Sequence, residues 1–305
     1  MAVGERAAAI DVRGLAKRFG AVTALEDLTL RVARGEIFGF LGPNGAGKTT
    51  AVKLLLGLSK PSGGAGTILG RPLGDRRARR GIGYLPELFR YHDWLSAREV
   101  LALHAKLAGI PAAHDAQIAA ALETVGLTER AGDRVGGFSK GMQQRLGLGV
   151  ALLGDPQLVL LDEPTSALDP VGRHDVRQIV RALKARGCTV FLNSHLLTEV
   201  ESVCDRIAIV KRGRVIAQGP VAEIVGASSG VRIGAAAGDV PLARVLERFG
   251  TLSPERDAIV VLGVSDETIP QIVSALVASN ARIYRIEPVS MTLEERFLQM
   301  TGERP

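Results

Sequence analysis

Residues 42–49 read Gly42-Pro43-Asn44-Gly45-Ala46-Gly47-Lys48-Thr49, and no other stretch restricts the possible folds as tightly. The spacing G-x-x-x-x-G-K-[ST] follows an apolar run of five, Ile37 to Leu41, and precedes a segment from Lys48 to Leu56 whose Val52, Leu55 and Leu56 recur at helical spacing. A buried strand, a glycine loop and a helix in that order form a phosphate-binding P-loop. The glycines let the backbone close round a phosphate, so that amide N–H groups and the helix N-terminus point at the anion. Residues Gly42 to Thr50 are therefore candidate nucleotide contacts, with Lys48 reaching the β and γ phosphates and the Thr49 hydroxyl, beside Thr50, placed for Mg2+.

A P-loop implies an α/β layer structure, and the rest of the chain agrees up to about residue 225. Ala8 to Val12 and Leu28 to Val32 read as short strands, separated by charged residues that include Lys17 and Arg18. Leu158 to Leu161 and Thr189 to Leu192 read as strands buried on both faces. Between Leu88 and Gly136 no strand pattern occurs. Arg98 to Leu107 and Ala112 to Val125 are helical in spacing, which predicts a helical insertion over about 88–150. The small, polar Gly226 to Gly230 stretch reads as a linker. Beyond it the strand patterns Val231 to Ile233, Ala258 to Leu262 and Ile283 to Ile286, with helices over 269–277 and 292–300, predict a small α+β domain over 226–305.

A nucleotide site needs a carboxylate for its metal and a base for water. Leu158-Val-Leu-Leu-Asp162-Glu163 supplies both at the carboxyl end of a core strand. Asp162 is the candidate metal carboxylate and Glu163 the candidate base.

With these residues in place the chain resembles the ATPase subunits of ABC (ATP-binding cassette) transporters over about residues 8–225. Phe138-Ser139-Lys140-Gly141-Met142, followed by Gln143-Gln144-Arg145, resembles the family signature. Ser166-Ala-Leu-Asp169 resembles the D-loop, and His195, 33 residues after Asp162, resembles the switch histidine. The resemblance implies a P-loop NTPase core and ATP hydrolysis with Mg2+. It implies catalytic roles for Lys48, Glu163 and His195, and Mg2+ contacts from Thr49, Asp162 and Glu87. It also implies dimerisation, with Ser139, Lys140, Gly141, Met142 and Asp169 acting at the second subunit's nucleotide.

Three positions depart from the family pattern. Phe19 stands where a tyrosine usually stacks on adenine, and a phenyl ring suffices for stacking. Phe138, Lys140 and Met142 replace the commoner Leu, Gly and Gln of the signature; Lys140 either contacts phosphate or reaches solvent. Glu87, in Gly-Tyr-Leu-Pro-Glu, replaces a glutamine that senses Mg2+ and the membrane partner, which predicts surviving hydrolysis with altered metal dependence.

The remaining composition bounds the setting. No apolar run approaches the roughly 18–20 residues of a membrane span, and Met1 to Ile10 lacks the apolar centre of a secretory signal. The expected location is the cytoplasm, on the inner face of the membrane, held there by an integral-membrane transport subunit. Tyr84, Phe89, Tyr91 and Trp94 place four of the twelve aromatic residues within eleven positions; they form either that docking surface or the core of the insertion. The net charge is +6, made of +8 over residues 1–225 and −2 beyond. The densest basic cluster, Arg71, Arg76, Arg77, Arg79 and Arg80, carries no interleaved aromatics, so no nucleic acid is expected. The reading from the resemblance is a transport ATPase, of exporter type, that closes as a homodimer on ATP. The alternative is a non-transport ABC ATPase clamping a nucleic-acid or ribosomal complex. The C-terminal domain either regulates the dimer, binds a ligand or stabilises packing.

Overall fold

A computed structural model describes residues 7–110, 114–166, 168–226, 230–289 and 291–302. By contacts the chain divides into two compact units, Met1–Gly219 and Pro220–Pro305.

The first unit is built on a ten-stranded sheet. Its centre is parallel. Strands β3 (Ile37–Leu41), β7 (Leu158–Asp162) and β8 (Thr189–Asn193) are buried at every position, as strands covered on both faces must be. Each large apolar side chain buried there contributes about 1.5–3 kcal/mol. Phe38 and Phe40 both pack on Phe191, with centroids 6.0 and 5.3 Å apart, and this locks β3 to β8.

The amino-terminal strands are longer than the apolar pattern predicts. β1 (Ala8–Phe19) and β2 (Val22–Ala33) each run for twelve residues and pair as an antiparallel hairpin. Lys17 and Arg18 lie inside β1 rather than between strands. The pairing is broken by several register shifts, which turn charged side chains outward without ending the strand; Lys17 Nζ donates to the Lys60 carbonyl at 2.8 Å.

From β3 the chain passes through helix α1 (Lys48–Leu55), then β4 (Gly63–Ile68), β5 (Arg71–Pro72), helix α2 (Arg76–Arg79) and β6 (Ile82–Leu85). The predicted insertion follows as α3 (Ala97–Leu107), α4 (His114–Thr124) and α5 (Lys140–Ala151). A reciprocal cap starts α3: Ser96 Oγ accepts from the Glu99 amide and Glu99 Oε2 accepts from the Ser96 amide. After β7 come α6 (Pro170–Ala185), β8, α7 (Leu197–Val203), β9 (Arg206–Lys211) and β10 (Arg214–Pro220). The strand order is β5-β4-β1-β2-β10-β9-β3-β8-β7-β6. Strands β3, β8, β7 and β6 thus stand side by side and parallel, and their carboxyl ends open on one edge.

In the second unit, α8 (Val221–Val225) leads into β11 (Gly230–Ala236), α9 (Leu242–Leu246), β12 (Thr251–Pro254), β13 (Ile259–Leu262), α10 (Ile269–Ala278), β14 (Arg282–Val289) and α11 (Leu293–Thr301). Its antiparallel sheet has the order β12-β13-β11-β14. The division after Gly219 falls earlier than the expected boundary at 225/226, because α8 is bound to α11: Arg296 Nε donates to the Ile224 carbonyl at 3.1 Å. Most of the expected linker, residues 227–229, lies outside the described residues, as does Ser290 ahead of the last helix. No helix among the described residues is long and apolar enough to cross a membrane.

Candidate functional site

The P-loop leaves β3 at Leu41 and its glycines are dictated by crowding. A Cβ on Gly42 would sit 2.4 Å from the Val210 carbonyl oxygen. Gly47, the residue that caps α1, has φ +98°, and a Cβ there would meet the Ala24 carbonyl oxygen at 2.4 Å. Ala46 is buried, whereas Asn44 and Gly45 are exposed, so the loop shows its backbone rather than side chains to the ligand space. Lys48 folds back over the loop, with Nζ donating to the carbonyls of Gly42 at 2.6 Å and Pro43 at 3.2 Å. Thr49 is exposed and Thr50 half-buried in the first turn of α1.

Asp162 ends β7, level with Asn193 at the end of β8. It is buried, and Asn193 Nδ2 donates to its Oδ1 at 2.5 Å. Burial raises the Asp162 carboxyl above its ordinary value; the Asn193 hydrogen bond and the Lys48 charge oppose the rise and the Glu87 charge adds to it. Glu163 is 8 % exposed and has φ +52°, a left-handed backbone that side-chain-bearing residues seldom adopt. Its amide donates to the Asn193 carbonyl at 2.8 Å. Its Oε2 lies 2.7 Å from His195 Nδ1 and accepts from the His195 amide at 3.4 Å. Burial raises the Glu163 carboxyl too, against the lowering effects of His195 and Lys48. Against an ionised Glu163, which only accepts, His195 must present a proton on Nδ1.

His195 is held from behind. Ser194 Oγ accepts from the Leu196 amide at 3.1 Å, α7 is tied to α6 by Arg177 to Glu199 at 2.9 Å, and Lys184 of α6 pairs at 2.5 Å with Asp205, in the turn that follows α7. Glu87, exposed just beyond β6, faces the same edge; its charge and that of Asp162 add to burial in pushing the Tyr84 phenol up to about 12.

The structure therefore brings together Lys48, Asp162, Glu163, His195 and Glu87. The other predicted residues are held by local contacts. Ser139 caps α5, its Oγ accepting from the Met142 amide at 3.3 Å, with Lys140 exposed and Gly141 and Met142 half-buried. Asp169 caps α6, its Oδ1 accepting from the Gly172 amide at 2.8 Å. Phe19 is 54 % exposed at the end of β1, with Lys17 Nζ 4.8 Å from its ring centroid. Asn193 was not foreseen. A polar residue closing an apolar strand is visible in the sequence, but its meeting with Asp162 depends on β7 and β8 being neighbours.

The aromatic segment splits between its two expected uses. Phe89 and Tyr91 meet with centroids 5.4 Å apart and planes tilted by 46°, and Tyr91 meets His104 of α3 edge-on. Burial drives the Tyr91 phenol far up. Leu88 and Trp94 stay exposed, Trp94 lying on His92.

The family model for ABC transporters matches residues 25–166. An uncharacterised ABC transporter ATP-binding protein of Synechocystis is 42 % identical, covering 93 % of this chain and 80 % of its own length. The chain belongs to the ATP-binding subunits of ABC transporters. The Nod factor export ATP-binding protein I of Rhizobium sp. strain N33 is 36 % identical over 96 % of this chain and 97 % of its own. Among solved structures, the dimeric post-hydrolysis state of the ATP-binding cassette MJ0796, bound to ADP and Pi, superposes with a TM-score of 0.63 at 25 % identity, covering 70 % of this chain and 99 % of that one. ABC ATP-binding subunits hydrolyse ATP to drive transport, dimerise and work with membrane subunits, and this chain is such an ATPase subunit.

Proposed function

We propose that this subunit powers export, closing as a homodimer on two ATP molecules beneath an integral-membrane partner on the cytoplasmic face. The direction of transport rests on the full-length likeness to the Rhizobium protein, whose name is that of an export component. Leu88 and the 66 %-exposed Trp94 are the docking candidates, since they stand exposed together in the aromatic segment that follows Glu87 and aromatic residues are enriched among interface anchors. The second unit has no assigned chemistry in this scheme.

The residues fit Mg2+. A buried carboxylate, Asp162, stands at the carboxyl edge of the sheet that also carries the P-loop. Mg2+ takes one or two carboxylates together with phosphate oxygens. Thr49, Asp162 and, through water, Glu87 would hold it, and it would supply neutralisation of the triphosphate's charge. The P-loop amides and Lys48 bind the triphosphate, and Phe19 stacks on adenine. Glu163 accepts the proton of the attacking water through Oε1, the oxygen not engaged by His195. His195 engages Glu163 through Nδ1 and presents Nε2 toward the γ-phosphate, to which it can donate only when that nitrogen also carries a proton. Ser139, Lys140, Gly141, Met142 and Asp169 serve the nucleotide of the second copy, consistent with the exposure of Ser139, Lys140 and Asp169.

The observation carrying this reading is the contact of His195 with Glu163 at the carboxyl edge shared by the P-loop strand. Glu163→Gln should slow hydrolysis sharply yet bind ATP, and on size-exclusion chromatography with ATP it should elute as a dimer. A variant that stays monomeric at saturating ATP would overturn the closure mechanism.

A further inference from the structure

We infer that Asn193 is a positioning residue of the ATPase site, holding one oxygen of Asp162 so that the other is left for the cation, and anchoring Glu163 to the strand that leads to His195. The inference rests on the reading above that Asp162 binds Mg2+.

Asn193 closes β8, level with Phe40 on one neighbour and with Asp162 on the other. Every other residue of β8 after Thr189 is apolar, and Asn193 itself is 2 % exposed. Its orientation is decided by chemistry: a carboxylate offers only acceptors, so the amide nitrogen must face Asp162 Oδ1. That bond uses Oδ1 and selects Oδ2 as the free metal-side oxygen.

The same residue acts through its backbone. The Asn193 carbonyl accepts the Glu163 amide at 2.8 Å, at a position where φ is +52°. A left-handed glutamate persists only when its surroundings fix it, and this bond is one of those that do. Both acidic residues are thereby referred to one point of β8, two residues before His195.

A purely structural asparagine would be expected to satisfy its whole amide. Here Asn193 Oδ1 is buried without a hydrogen-bond partner among the described residues. Buried polar atoms in native proteins are nearly all paired, so an orphan acceptor beside a candidate cation site points to a partner that arrives with the ligand. A water of the Mg2+ shell supplies the O–H donor required, and residues outside the inner ligand set commonly tune metal affinity in this way.

The test separates metal-dependent from metal-independent binding. In the full chain carrying Glu163→Gln, ATP affinity is measured with Mn2+ by electron paramagnetic resonance titration, and with EDTA by fluorescence of a labelled ATP analogue. Asn193→Leu should weaken Mn2+-dependent binding at least about tenfold while leaving metal-free binding unchanged; Asn193→Thr, which restores a hydroxyl donor, should recover much of the loss. Should the leucine chain fail to fold, Asn193→Ala is read in the same way. Equal losses with and without metal, or no loss, overturn the inference. Asp162→Asn is the control: if it too leaves metal dependence unchanged, the assignment of Asp162 has failed, whereas an effect at Asp162 without one at Asn193 rejects the role of Asn193 alone.

Discussion

The two units of the chain bury polar groups in opposite ways. In the first, Glu36, Asp162, Glu163 and Glu199 are all nearly inaccessible, together with Asn193 and Ser194. In the second, the buried polar side chains among the described residues are Ser279 and Thr301, and each donates at 2.8 Å to a carbonyl of its own helix, that of Leu276 and that of Phe297. Its core is otherwise Val231, Ile233, Leu246, Val261, Ile272 and Leu276 with their neighbours. Charges are costly to bury unless paired, and in the second unit the described ion pairs, such as Arg232 with Glu255, lie at the surface instead. The first unit tolerates Asp162 and Glu163 because Asn193, His195 and Lys48 face them.

That contrast can be broken experimentally. The largest effect expected is on turnover: Glu163→Gln should reduce kcat for ATP hydrolysis by roughly 10²–10⁴-fold, the range for loss of a general base, with ATP affinity kept. A residual rate near that of the parent would place the base elsewhere. Next in size is a change confined to the second unit. Leu276→Ala, which empties a fully buried site, should destabilise that unit by about 2–5 kcal/mol in denaturant unfolding and leave nucleotide affinity alone; a parallel loss of ATP binding would deny the division of labour. Gly47→Ala should cost about 2 kcal/mol, since the new Cβ meets the Ala24 carbonyl and the backbone must hold φ +98°. Its ATP affinity, measured by isothermal titration, should fall as well.

The smallest effect concerns the apo protein. Burial raises the Glu163 carboxyl above its ordinary value, so its ionised form is one that the unfolded state solvates better. Between the ordinary and the raised value the native chain binds more protons than the unfolded one, and stability therefore falls as pH rises through that window. Glu163→Gln removes this penalty. Its Tm should exceed the parent's at neutral pH, and the difference should shrink as pH falls and the parent's glutamate protonates. A difference independent of pH would assign the stabilisation to something other than charge.

How far the sequence could be read follows from what each element is made of. β3, β7 and β8 are unbroken apolar runs with a loop or acidic pair at their ends, and the structure extends each by no more than one residue. α1 starts at Lys48 as expected. The apolar pattern of β1 and β2 is interrupted by charge, as at Lys17 and Arg18, and so predicts shorter strands; on a hairpin with register shifts those charges sit within the strands. β4, with three glycines among its six residues, shows no strand signature and is held by its pairing with β1.

The candidate site divides in the same way. Lys48, Thr49, Asp162, Glu163 and His195 each stand directly after a legible strand or loop, so their positions along the chain were sufficient to single them out. Asn193 and the Glu163 to His195 contact required knowing which strands adjoin, and the aromatic segment required knowing which rings α3 and α5 would cover.

By itself the sequence determined the phosphate loop, the acidic pair, the two-part organisation and the family, because local composition and spacing carry the backbone geometry that phosphate binding demands. Only the tertiary structure decided that Asp162 is held by Asn193, that Glu163 adopts a left-handed backbone to reach His195, and that Leu88 and Trp94 stay outside while Phe89 and Tyr91 turn in. Those outcomes depend on side chains from strands and helices far apart in the chain meeting in a densely packed interior, and no local pattern encodes which of them will touch.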